Sequence, residues 1–279
     1  MSTFNHKVDF AVILSVHHAN PNGDPLNGNR PREDYDGLGE ISDVCIKRKL
    51  RNRLMDMGQP VFVQSDDKRM DGYKTLRERA ESIPEIKKNL GKGGDADAIA
   101  SAACKTWIDV RSFGQVFAFK GDGVSVGIRG PVSLHPAFSI APVDIVDIQI
   151  TKSVSSVDNG GKKSSDTMGT KYRVEHGVYV FFGSINCQLA EKTGFSAEDA
   201  QLIKQALQTL FDNDASSARP EGSMVVEKLY WWEHNCKSGQ YSSAKVHRSL
   251  CVTPTESTPY FSAELAPLDG LVPEEYDGV

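Results

Sequence analysis

Residues 8–18 read VDFAVILSVHH. Val8, Phe10, Val12, Leu14 and Val16 fall on one face at period two, and Ala11 and Ile13 make the other face partly apolar too. Such a segment predicts a central strand with one largely buried face, and the rest of the chain has to supply its neighbours and cover. The 279 residues, 39% apolar and 25% charged, suffice for one large domain, or one domain with a sizeable insertion, that folds without staples. Five cysteines (Cys45, Cys104, Cys187, Cys236, Cys251) form no CxxC pair, which argues against a disulfide framework or a zinc ribbon. The longest apolar runs are too short to span a bilayer, and the polar opening residues lack a signal pattern, so a soluble, cytoplasmic protein is expected. A net charge of −5 excludes bulk polyanion binding; any nucleic-acid site must come from local clustering.

After the strand, residues 19–40 are dense in Asn, Gly, Pro and Asp and carry no period, as in a long loop of tight turns. Ser42 then fits a helix N-cap, with Ile46, Leu50, Leu54 and Met57 as the apolar stripe. Residues 60–107 are too long for a direct helix-to-strand connection and read as an insertion with helices over 75–81 and 96–107. Strands are expected over 114–119, 124–128 and 143–150. Residues 151–173 are polar at their middle with extended flanks, the pattern of a long projecting hairpin. A strand over 174–187, a helix opened by the capping box at Ser196 and a strand over 224–233 follow. The tail from residue 262 is acidic and reads as loosely held. Stripped of insertions, strand, helix, strand, strand, helix, strand is the α+β order of ferredoxin-like and RNA-recognition folds.

Two segments point to chemistry. The first helix carries Lys47, Arg48, Lys49, Arg51 and Arg53, with no acid inside the run. At roughly 100° per residue, Lys47, Arg48 and Arg51 gather away from the apolar stripe, while Lys49 and Arg53 flank it. Such a face is either ordinary solvated surface or a row of phosphate contacts. The loop residues Asn22, Gly23, Asn27, Gly28 and Asn29, with Arg30 and Arg32, either form plain turns or cradle phosphate on backbone N–H groups with added positive charge. Residues 111–116 (RSFGQV) partly resemble the stacking strand of RNA-recognition motifs, but core packing accounts better for Phe113, Phe117 and Phe119. His17 and His18 point to opposite faces, and Asp24, Asp34 and Asp36 match no metal-ligand spacing. Walker A, GxSxG and HExxH patterns are absent. No enzyme, cofactor or metal is expected.

The run His17-His18-Ala19-Asn20-Pro21-Asn22-Gly23-Asp24-Pro25, the run Asn27-Gly28-Asn29-Arg30-Pro31-Arg32 and the helix opening Ser42-Asp43-Val44-Cys45-Ile46-Lys47-Arg48 resemble the CRISPR-associated Cascade backbone subunit of the type I-C branch. Asp109 with the residues through Phe117, Thr167-Met168-Gly169-Thr170-Lys171-Tyr172 and Trp232-Glu233-His234 fit the same family. The resemblance implies a hand-shaped protein with a ferredoxin-like palm, an inserted helical fingers region and a projecting thumb β-hairpin. It assigns 1–59, 108–150 and 174–250 to the palm, 60–107 to the fingers and 151–173 to the thumb, leaving 251–279 as an acidic tail. It implies copies lying head-to-tail along a crRNA whose bases pair with target DNA, in company with other Cascade subunits. Lys47, Arg48 and Arg51 would hold guide phosphates, with Met168 and Lys171 at the thumb. Two alternatives stand beside it: a metal-dependent RNA-cleaving backbone like type III relatives, with Asp24 as the reactive carboxylate, and a monomeric RNA-recognition-like binder.

Overall fold

The structure, a computed structural model, describes residues 4–119, 121, 123–152 and 168–278. Strand β1 (Val8–Ala19) runs into short pairings β2 (Gly23–Asp24), β3 (Arg30–Pro31) and β4 (Leu38–Ile41), then helix α1 (Asp43–Asp56). Helices α2 (Leu76–Glu81), α3 (Pro84–Asn89), α4 (Ala96–Thr106) and α5 (Ile108–Phe113) come next. Strands β5 (Gly114–Phe117), β6 (Val126–Arg129), β7 (Val132–Leu134), β8 (Ala137–Pro142), β9 (Ile145–Thr151) and β10 (Met168–Ile185) follow. Helices α6 (Cys187–Thr193) and α7 (Ala197–Gln208) lead to β11 (Met224–Glu233), α8 (Ser243–His247), β12 (Leu250–Pro254), β13 (Phe261–Leu265) and β14 (Glu274–Asp277).

The alternation in β1 is realised between two antiparallel neighbours, with Val12 opposite Phe181 of β10 and Leu229 of β11. The sheet order β14-β11-β1-β10-β8-β4 places the four main strands as a ferredoxin-like fold does, the first strand and the third at the centre. Phe10, Val12, Leu14 and Val16 pack against Leu50 and Leu54 of α1 and Ile203 and Leu207 of α7 in the main core. Ala11 and Ile13 lie under Val246, Leu250, Phe261 and Leu271 on the opposite face. Both faces of β1 are therefore dry from Val8 to Val16, where the alternation predicted one largely buried face.

A separate hydrophobic cluster gathers Phe62, Ala80, Ile86, Ile99, Trp107, Phe117 and Val126. The Phe62 ring lies 4.7 Å from Trp107 and 5.0 Å from Phe117. Strands β5 and β6 pair with each other and join this cluster, so of the three strands expected over 114–119, 124–128 and 143–150 only the last, β9, reaches the central sheet, where β7 and β8 are additions. Residues 111–113 are helical, and Arg111 forms a paired hydrogen bond to Asp199 (2.7 and 2.9 Å), which removes the stacking-strand likeness. The acidic tail is not loose. Strand β14 adds to the sheet edge beside β11, where Lys228 bridges Glu275 and Asp277 at 2.8 Å each and Lys204 holds Glu274 at 2.6 Å. Among the described residues no helix is long and apolar enough to cross a membrane.

Candidate functional site

The long loop is a tightly fastened structure. His18, at φ 49°, breaks the alternation of β1 and returns Ala19 to the helix-side core. Asn20 donates from Nδ2 to the carbonyl of Asn29 (2.7 Å), closing the loop on itself. Asn22 Oδ1 accepts from the backbone N–H (2.9 Å) and the hydroxyl (2.8 Å) of Ser42, the N-cap of α1. The loop is thereby tied to the helix that follows it. A Cβ at Gly23 would lie 2.1 Å from Asn29 Oδ1, so this position admits glycine alone. Asp24 accepts from the N–H of Leu26 (3.2 Å) and from Arg32 (3.3 Å). Gly28 and Asn29 are both left-handed, which turns the chain back into β3. The tip, with Leu26 fully exposed and Asn27 beside it, faces solvent.

The cations of α1 are all matched by carboxylates. Lys47 pairs with Asp43 at 2.9 Å and Arg48 with Asp67 at 3.3 Å, both at the surface. Lys49 is buried against Asp214, and Arg53 reaches Asp212 at 3.1 Å. Burial pushes the Lys49 ammonium below its ordinary pKa, against the pull of Asp214. Arg51 meets Asp109 at 2.9 Å, with side chains 14% and 1% exposed. Of the three phosphate contacts expected here, Lys47 and Arg48 are reachable, whereas Arg51 is spent inside the fold. No signal in the run foretells this, because the partners of Lys49 and Arg51 lie 165 and 58 positions away.

Strands β9 and β10 form the stem of a hairpin, paired from Ile145 with Val174 to Thr151 with Met168. Residues 153–167, the greater part of the expected projection, lie outside the described residues. Tyr172 of the stem sits beside the loop: Arg30 lies over its ring at 5.6 Å and pairs with Asp147 at 3.6 Å. Lys171 donates to the carbonyl of Ser217, next to Ala218, whose carbonyl accepts from Asn20 N–H. Met168 is 57% exposed. The loop residues, Arg30 and Lys171 thus meet at one junction, while Lys47 and Arg48 stand on the helix whose N-terminus Asn22 fastens. The turn over 214–219, which receives both Asn20 and Lys171, carries no motif that would mark it beforehand. His17 does not stand alone: its ring is 4.3 Å from that of His176 and 6.2 Å from Tyr260.

The junction offers exposed backbone at left-handed residues, partly exposed cations and a ring, with no set of groups shaped to read base edges. Residues 6–265 match the family model for CRISPR-associated protein Cas7. The chain is 28% identical over 239 residues to a CRISPR-associated protein Cas7 of Haloferax volcanii, covering 78% of this chain and 67% of that protein. Its fold is similar to a chain of a CRISPR RNA-guided surveillance complex in a pre-nicking state, with a TM-score of 0.51 and 15% identity over 81% of this chain and 78% of the other.

Proposed function

The chain belongs to the CRISPR-associated Cas7 family, and from that premise we propose that it is the crRNA-binding backbone subunit of a type I-C Cascade complex. Several copies lie head-to-tail along one cytoplasmic guide RNA, which they present for pairing with target DNA alongside other Cascade subunits. The observation that carries this reading is the junction of the loop at Asn22–Arg32 with the stem at Lys171 and Tyr172, beside a helix that keeps Lys47 and Arg48 at the surface. A guide varies in sequence, so it is gripped through its backbone while base pairing reads the letters. A contact made by one face of a copy on a different face of the next repeats without closing, which suits a strand of many nucleotides. The type I-C assignment rests on the motifs around His17–Arg32 and Trp232-Glu233-His234.

The reading has no catalytic step. Asp24, the carboxylate that an RNA-cleaving relative would use, is occupied in capping the turn at Leu26 and pairing with Arg32. The test is co-expression with a CRISPR array and its processing nuclease, followed by sizing and extraction of bound nucleic acid. The expected result is a multi-copy particle containing RNA of one defined length, with added target RNA intact in divalent metal. Protein that emerges solitary and free of oligonucleotide overturns the backbone role. Cleavage that disappears in Asp24→Ala overturns the absence of catalysis.

A further inference from the structure

A cleft of about 600 Å³ opens between α4, β6 and α6, away from the junction described above. Along β10, Tyr172 and Ile185, the end of the strand that leads into α6, are 13 residues apart, or about 40 Å at strand spacing. One nucleotide cannot reach both places. Helix α4 turns Asp97, Ala100, Ser101, Cys104 and Lys105 toward the cleft, an i, i+3, i+4 face of mostly short side chains. Gly127 of β6 leaves its wall equally low, and Arg129 and Lys192 stand at the rim with Lys105.

These three cations differ from those of α1. Among the described residues the side chains of Lys105, Arg129 and Lys192 have neither an ion pair nor a hydrogen bond, although all three are exposed and the chain carries a net charge of −5. The nearby charges are otherwise committed: Glu191 is held by Lys237, and Arg111 by Asp199. Asp97 is the one carboxylate lining the cleft, eight residues or about 12 Å along α4 from Lys105. Favourable interaction with the last turns of α4 and α6 explains a lysine at each helix end, but not Arg129 or the open space between them.

We propose that this cleft carries the sugar–phosphate backbone of a second nucleic-acid strand, distinct from the strand held at the loop and hairpin stem. The inference rests on the proposed role only in calling the first strand the guide. A polymer with a charge at every nucleotide can satisfy three cations at once, and the low floor admits its backbone without selecting bases. The probe is a fluorescein-labelled single-stranded DNA with no complementarity to the guide, titrated into guide-loaded protein across a salt series. Replacing Lys105, Arg129 and Lys192 with Ala should weaken binding and flatten the slope of log affinity against log salt by about 2. Melting temperature and the amount of bound guide should not change. The charge-keeping variant Lys105→Arg, Arg129→Lys, Lys192→Arg should retain the slope. Equal affinity and slope in the alanine variant overturn the proposal, as does release of guide together with DNA, which would make the cleft part of the first track. Displacement of DNA by polyglutamate at equal charge overturns the assignment to phosphate. Protein that carries no guide but still shows the cation-dependent DNA binding would refute the backbone role alone.

Discussion

Asp109 is buried and receives Arg51 together with the backbone N–H groups of Phe62 (2.7 Å) and Val63 (3.1 Å). It joins α1 to the second hydrophobic cluster, so removing its cation strands a buried carboxylate. Arg51→Met should cost about 3–5 kcal/mol in urea unfolding; a variant as stable as the parent would show that the pair does not hold these parts together. Lys47→Ala and Arg48→Ala break surface pairs and should each cost less than about 1 kcal/mol, while each lowers the salt slope of guide binding by about 1. Five cations that look alike in sequence thus separate into two kinds by the position of their acids. A second residue-scale consequence concerns acid. Burial, partly opposed by Asp9, holds His247 below the ordinary 6.5, with Nε2 3.1 Å from the carbonyl of Gly183. The fold favours its neutral form, so its contribution is complete above pH 6.5 and is lost as pH falls below that value. Asp9 loses its contribution in the same direction but at lower pH. Burial alone would raise its pKa, but hydrogen bonds from His234, Ser243 and Lys7 lower it, and its contribution persists until pH falls below the ordinary 3.8. Melting between pH 7.5 and 5 should therefore show a decline of up to about 1.4 kcal/mol per pH unit for the histidine, and His247→Phe should flatten it. An unchanged decline in that variant would assign the acid sensitivity elsewhere.

At the scale of elements, Ser42 was legible as the cap of α1, since a hydroxyl before an apolar stripe is a local signal. Asn22, 20 residues earlier, fastens that cap to the loop by two hydrogen bonds, and nothing local announces it. Asn22→Ala should lower stability by about 1–2 kcal/mol and weaken guide binding without altering its salt slope, because no phosphate contact is lost. A changed slope would place Asn22 on the strand itself. The same division between local and distant runs through the fold. Period two marked β1, and the capping box at Ser196 marked α7, because each writes its burial into consecutive residues. Residues 108–113 were not legible as a helix: six residues hold too little of a period, and the likeness of RSFGQV to a strand motif pointed the wrong way. The tail failed for a different reason. Its acids read as solvated, yet in β14 Glu274, Glu275 and Asp277 answer Lys204 and Lys228, residues 47 or more positions earlier.

For the whole molecule, the strand order around β1 was within reach of the sequence because six elements admit few antiparallel arrangements with both faces covered. Charge was not. A net value of −5 conceals a molecule in which the dense cations of α1 are neutralised across the chain while Lys105, Arg129 and Lys192 remain free among the described residues. Assembly is the property that this scale decides. The stem of the hairpin is paired from Ile145 with Val174 to Thr151 with Met168, all of it outside residues 157–166. Deleting residues 157–166 should therefore leave the melting temperature of a single copy within a few degrees of the parent. If that segment is the contact by which one copy reaches the next, the loss falls on association alone. Mass photometry of complexes formed on a guide of fixed length would then record fewer copies per RNA, although the deletion leaves Lys47 and Arg48 in place at the surface of each copy. The same copy number with and without the segment would move the contact between copies to another face of the protein.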